Sequence, residues 1–422
     1  MSRQDDDLAD LMTALALLHS NGQSTAETLD MGARLARHFG RDLTVMPGWD
    51  GISVLDRDDP TGTLRLAPGQ PAAVNMRRVA AVTDACEALM AGHLPRAGFR
   101  AAVDQAARLP ASGNLAFAGA AALGAVALAI IFGGHIPASM LMIALAAGLG
   151  GLLRRRMGAH GISGIWQAFA AALLAGLFGA LADHLHLTSA QRLVAVCPCM
   201  VLVPGPHLLN ASFDIVAGRI QIGLARLGLG IAILTAIAAG VVAGLLLGGS
   251  SLPPAEPVGS ARLAWDVPAA AAAALAYSVF FSAPPRMYLP PMLVGALAHG
   301  LRWLAMHDFA MPMYLASGLA CLIVGVVLAP MALRRNLPFA AIGFAAVVAL
   351  VPGLFAFRAM SALFALTSAD AAQRVELAGI LAADLATVLV TTGAMVLGLL
   401  LPLAAARVWM APHAADQDRK HV

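Results

Sequence analysis

Polar and apolar positions divide this chain sharply: residues 1 to about 110 mix charges with helically spaced leucines, and most of 113 to 407 is apolar. In the first part, leucines over 6–19 predict a helix that turns at Ser20-Asn21-Gly22. Ser24-Thr25-Ala26-Glu27 fits a capping box and opens a second helix, which closes at Gly40. Strand candidates follow at about 42–47, 51–56 and 62–67, separated by turns rich in Gly, Pro and Asp. Two further helices, about 72–91 and 95–109, lead to the apolar region, and Pro95 suits a first helical turn.

A membrane helix needs about 20 apolar residues. Runs of that kind place spans near 113–134, 136–153, 162–184, 189–206 and 220–248, then near 264–284, 287–304, 310–330, 337–354 and 377–406. Late in each set of five stands a Val-Pro-Gly break, Val203-Pro204-Gly205 and Val351-Pro352-Gly353. Related halves with an odd number of spans cross the bilayer in opposite directions, and paired breaks in such halves point to a carrier with its site near the midplane. The expected architecture is an all-α polytopic membrane protein, ten spans arranged as a 5+5 inverted repeat, with a small N-terminal α+β domain. Its parts are 1–110, the two membrane halves 111–250 and 251–410, and a polar tail 411–422.

Short echoes support the repeat. Met140-Leu141-Met142-Ile143-Ala144-Leu145 parallels Met292-Leu293-Val294-Gly295-Ala296-Leu297, and both fifth spans carry Gly-Leu-Leu-Leu, at 244–247 and 398–401. Gly240, Gly244 and Gly248 recur at four-residue spacing, which favours close helix packing inside the bundle or between protomers of a homo-oligomer. With the first domain in the cytoplasm, the inner side collects Arg154, Arg155, Arg156, Arg219, Arg226, Arg286, Arg334, Arg335, Arg407, Arg419 and Lys420. The outer side holds Arg192, Arg262, Arg302, Arg358 and Arg374. That asymmetry obeys the positive-inside rule and brings the C-terminus back to the cytoplasm. The acidic opening Ser2-Arg3-Gln4-Asp5-Asp6-Asp7 is no secretory signal.

Composition narrows the function. With 59% hydrophobic and 12% charged residues, the chain belongs among integral membrane proteins, its partner the bilayer. No basic run with interleaved aromatics supports nucleic-acid binding. Lys420 is the only lysine, so no Walker A site exists within this chain, and a carrier built on it runs on gradients or borrows another subunit. The four cysteines suggest no disulfide framework; Cys197-Pro198-Cys199 reads as small side chains packed near a kink, and no metal or other cofactor is expected.

Candidate chemistry gathers at the breaks. Asn210 and Asp214 lie four residues apart, on one helical face, ready for an ammonium group or for stabilising an opened helix. Arg219 and Arg226 follow, either to hold a carboxylate or as ordinary positive-inside arginines. Arg358 stands past Pro352-Gly353 as Asn210 stands past Pro204-Gly205, and suits a carboxylate clamp or a snorkelling role. Asp384, about two turns into the last span, costs roughly 2.5–3.5 kcal/mol to insert unpaired, which marks it as a proton carrier or an amine ligand, unless it sits shallow near water. His19, Ser24 and Glu27 spell a hydrolase triad on paper, but the capping box accounts for Ser24 and Glu27 without catalysis. His184, His186 and His299 read as interface or packing residues.

In their order, these motifs resemble the threonine/serine exporter family over nearly the whole chain. Leu17-Leu18-His19-Ser20-Asn21-Gly22 with Glu27 carries the likeness in the first domain. Val203-Pro204-Gly205-Pro206 to Asn210, Asp214, Gly218 and Gly223-Leu224-Ala225-Arg226 carries it in the first half, and Val351-Pro352-Gly353 with Arg358 in the second. The resemblance implies export of threonine and serine across the inner membrane, driven by the proton-motive force, with no enzymatic activity. Some relatives, split over two polypeptides, look like exporters of dicarboxylates such as succinate. One departure is Phe357 before Arg358, where similar sequences more often offer a hydroxyl-bearing aromatic. On this reading Asn210, Asp214, Arg226 and Arg358 contact substrate, and Asp384 carries the coupled proton. A membrane-anchored hydrolase is the rival from another class.

Overall fold

A computed structural model of the chain describes residues 3–418 apart from 60, 251–259, 336 and 368. Arg419 and Lys420, counted above for orientation, lie outside the described residues. The first elements are α1 (Arg3–Ser20), α2 (Thr25–His38), β1 (Leu43–Pro47), β2 (Gly51–Asp56), β3 (Leu64–Pro68), α3 (Met76–Met90) and α4 (Arg96–Arg108). The strands make an antiparallel meander in which Val45 faces Val54 and Val54 faces Arg65. Alternation along β2 buries Ile52 and Val54, which join a core with Leu11, Leu15 and Leu18 of α1 and Val79 and Val82 of α3. Ser24 caps α2 through a hydrogen bond from the Glu27 N–H to its Oγ, 3.3 Å.

The apolar region folds into α5 (Asn114–Ile131), α6 (Pro137–Ala159), α7 (Gly164–His184), α8 (Thr188–Met200), α9 (Gly205–Val216) and α10 (Ile220–Leu247). After these come α11 (Leu263–Phe280), α12 (Leu289–His307), α13 (Met313–Arg335), α14 (Phe339–Val347), α15 (Gly353–Ala365) and α16 (Ala371–Asp418). Among the described residues, seven helices are long and apolar enough to cross a membrane. Two bent pairs, α8–α9 at 54° and α14–α15 at 64°, raise the number to nine.

Two expected spans differ from the observed helices, one in its bounds and one in its hydropathy. The fourth span of each half does not finish at its Val-Pro-Gly: an apolar helix continues beyond it, so the break lies inside a longer bent segment. The segment expected as a span near 287–304 forms the 19-residue α12, but two first-turn prolines, His299 and Arg302 dilute its hydropathy, and it is not among the nine.

Helices α7 and α10 pack together along their length, as do α13 and α16. Glycines set both contacts. A Cβ on Gly244 would lie 2.2 Å from Leu173 O of α7, and one on Gly398 would lie 2.4 Å from Gly318 O of α13. The Gly240, Gly244 and Gly248 stripe is therefore filled by α7 of the same chain.

Candidate functional site

Both Val-Pro-Gly breaks fold the same way. Pro204 (φ −79°, ψ 57°) and Pro352 (φ −75°, ψ 48°) each centre an inverse γ-turn. The turns close through Gly205 N–H to Val203 O at 2.8 Å and Gly353 N–H to Val351 O at 2.7 Å. Proline has no N–H to offer the carbonyl four residues earlier. At the first break Met200 O accepts from the Tyr277 hydroxyl of α11 at 3.0 Å and from the Val203 N–H at 3.3 Å. At the second, a 3₁₀ turn over Val348–Leu350 absorbs the change.

The two breaks meet. Gly205 lies so close under the Phe344 ring of α14 that a Cβ there would sit 1.7 Å from its Cζ. Reciprocally, Gly353 lies against Met200 of α8, where a Cβ would be 3.3 Å from the methionine methyl. The residue after each break thus touches the helix before the other. Two apolar cavities flank this crossing, one lined by Cys199, Val203, Ile237, Phe357 and Met360, the other by Leu128, Tyr277, Phe344 and Val351. Each offers about 20 Å³, room for roughly one water molecule.

An ion pair follows each break, with its polarity exchanged. After the first, Asp214 on α9 faces Arg226 on α10 at 3.2 Å, and its other oxygen accepts from Arg219 Nε at 2.9 Å. Asp214 and Arg226 are each 1% exposed, so neither charge has water to fall back on. After the second, Arg358 on α15 faces Asp384 on α16 at 3.0 Å, with Asp384 3% exposed. The structure thus joins Asp214 with Arg226 and Arg358 with Asp384, two pairings that sequence reasoning did not draw. Asn210, one turn from Asp214, donates to Gly22 O at 3.4 Å, and its buried Oδ1 finds no partner among the described residues.

The first turn of α2 sits directly on these groups. The Thr25 hydroxyl donates to Asp214 Oδ2 at 2.9 Å, and Glu27 Oε1 accepts from the Phe339 N–H at 2.8 Å, capping α14. The other Glu27 oxygen accepts from the Ser24 hydroxyl at 2.9 Å. Burial raises the Glu27 carboxyl above its ordinary range, against the pull of the Phe339 N–H and the Arg407 charge. His19 Nε2 lies 2.9 Å from Gly48 O, which makes that nitrogen the N–H donor. Burial, with the Arg226 charge adding to it, holds the imidazole down at about 4. Ser24 therefore bonds Glu27 and His19 bonds Gly48, a capping and packing arrangement rather than the relay a hydrolase triad requires. Among the described residues, no group of three His, Cys, Asp or Glu is placed to hold a metal ion.

Helices that satisfy a membrane's length and hydropathy, two of them broken and crossing, define a multi-pass membrane protein. Residues 11–248 match one threonine/serine exporter family model and residues 266–405 a second. The chain belongs to the threonine/serine exporter family, a family of transporters. Comparison with curated proteins and with solved structures returned no match.

Proposed function

We propose that this chain is a secondary carrier exporting small amino acids of the threonine and serine type across the inner membrane, with its first domain and C-terminus in the cytoplasm and the proton-motive force as driver. The observation that carries this reading is the crossing of two broken helices at Gly205–Phe344 and Gly353–Met200, each followed by an Asp–Arg ion pair, buried at Asp214–Arg226 and half-buried on the Arg358 side of Arg358–Asp384. Crossed, discontinuous helices are the usual site of substrate binding in carriers built from inverted repeats. The matching γ-turns, and the matching contacts of Gly244 on α7 and Gly398 on α13, support a 5+5 repeat. Such a repeat counts α12 as a span alongside the nine.

One cation and one anion beyond each break suit a zwitterion. The α-carboxylate of substrate competes with Asp384 for Arg358, and Asp384, released from its cation, takes up a proton. Asn210, Asp214 and Arg226 form the inner counterpart, held shut by Thr25 on Asp214, while Glu27 of the same helix holds the start of α14. Since the cavities at the crossing hold about a water each, substrate enters only when the half-helices separate. Counterflow of labelled threonine, serine and succinate in proteoliposomes tests the reading. Threonine or serine exchange that collapses in Arg358→Gln supports it, and exchange of succinate alone assigns the site to dicarboxylates.

A further inference from the structure

A further acid–base pair, buried, lies away from the crossing. Asp266, in the first turn of α11, and His299, on α12, approach to 2.5 Å between Oδ2 and Nδ1. Both are almost wholly buried, at 2% and 3% exposure. A carboxylate oxygen can only accept, so Nδ1 carries the proton of this bond. The other ring nitrogen, Nε2, is then either a bare lone pair or the N–H of an imidazolium. It is buried and finds no partner among the described residues.

The surroundings define the charge balance. Arg302, one turn along α12, lies within electrostatic reach of Asp266 and of Cys321 on α13. Helices α5 and α14, also packed here, carry no ionisable side chain. Arg262, His307 and Tyr314 stand at the ends of α11, α12 and α13. With Asp266 and Arg302 compensating each other, His299 is the member free to change charge. Its helix is tied to the crossing: Gly295, one turn before His299, lies so close to α14 that a Cβ there would be 2.7 Å from Ala346 O. Tyr277, on the same helix as Asp266, holds the Met200 carbonyl at the first break.

We propose that Asp266 and His299 form a proton-binding site, distinct from Asp384, in which His299 Nε2 takes and releases the proton. The proposal rests on the carrier reading above. A proton added at Nε2 turns the bond to Asp266 into an ion pair that draws α12 toward α11, the helix whose Tyr277 holds the Met200 carbonyl at the first break. Buried Asp and His side chains within membrane bundles serve such relays.

The test is threonine counterflow in proteoliposomes at equal pH on both sides, from about pH 5.5 to about 8.5, the range in which an imidazole changes charge. Wild-type exchange is expected to vary roughly tenfold over this range, and His299→Gln to flatten the profile to within about twofold. Asp266→Asn keeps an oxygen to accept the Nδ1–H but removes the negative charge beside the imidazole, so it displaces the profile along the pH axis. A merely structural pair would change rates without moving the profile. A variant that does not elute as folded protein is set aside, and the other carries the test. Folded variants that retain the wild-type profile overturn the proposal and leave the carrier reading standing. Wild-type protein that exchanges none of threonine, serine and succinate at any pH overturns both.

Discussion

Glu27 and Phe339, 312 positions apart, are joined by a hydrogen bond in which the Phe339 N–H donates to the Glu27 carboxylate at 2.8 Å. A side chain of α2 thereby caps the short helix that runs into the second break. With Thr25 on Asp214, the same turn of α2 holds both broken segments.

Removing that cap should loosen the second break. Glu27→Ala is expected to cost about 1 kcal/mol, the usual worth of a helix cap, and to speed amide exchange at the start of α14. Glu27→Gln keeps an acceptor oxygen and should lose much less. Hydrogen exchange read by mass spectrometry over Phe339–Val347 distinguishes the two variants.

His19 sets an acid limit on the folded chain. Its imidazole is held at about 4 in the folded chain, against an ordinary 6.5. Above 6.5 both folded and unfolded forms are neutral, and the group contributes nothing to the pH dependence. As pH falls from 6.5 toward 4, the unfolded chain gains a proton that the folded one refuses, and stability drops by up to about 3 kcal/mol. Thermal unfolding of wild type and His19→Gln across this range should show the variant losing less stability on acidification.

The Asp214–Arg226 pair should behave as one unit. Asp214→Asn leaves Arg226 buried without its anion and is expected to cost about 3–5 kcal/mol. The double variant Asp214→Asn with Arg226→Gln removes both charges and should recover part of that loss. A double-mutant cycle on thermal unfolding in detergent gives the coupling directly.

Glycine is needed at one break far more than at the other. Gly205→Ala drives a methyl into the Phe344 ring, at 1.7 Å, and should cost about 1–3 kcal/mol along with transport. Gly353→Ala meets only the flexible tip of Met200 at 3.3 Å and should be tolerated. Replacing Phe344 by leucine in the Gly205→Ala background should restore part of the stability.

Much of this fold was legible because each signal was local. The strands, the starts of most membrane helices and both Pro-Gly breaks follow from periodicity, hydropathy and missing N–H groups. Helix beyond the first break was legible, since Asn210 and Asp214 share a helical face, but the extent of the span was not: Pro-Gly commonly ends helices, and here Leu208, Leu209 and Phe213 keep the segment apolar past it. Long-range pairings were not legible. Arg358 and Asp384 were each singled out, but nothing in their spacing joins α15 to α16. Glu27 was accounted for by its own helix, so its reach to Phe339 left no trace in the sequence. His299 was passed over because a lone histidine in an apolar helix usually packs. The available signal was Asp266, an acidic residue in a hydrophobic helix, as Asp384 is.

Cross-linking across the breaks tests the central claim most directly. In a background free of native cysteines, Met200→Cys with Gly353→Cys places thiols on the two crossing segments. The account predicts that a short bifunctional reagent joins them in high yield, that threonine counterflow stops, and that cleaving the linker restores it. A pair that does not cross-link, or a cross-linked protein that exchanges threonine at the unmodified rate, would contradict a crossing that must open for transport.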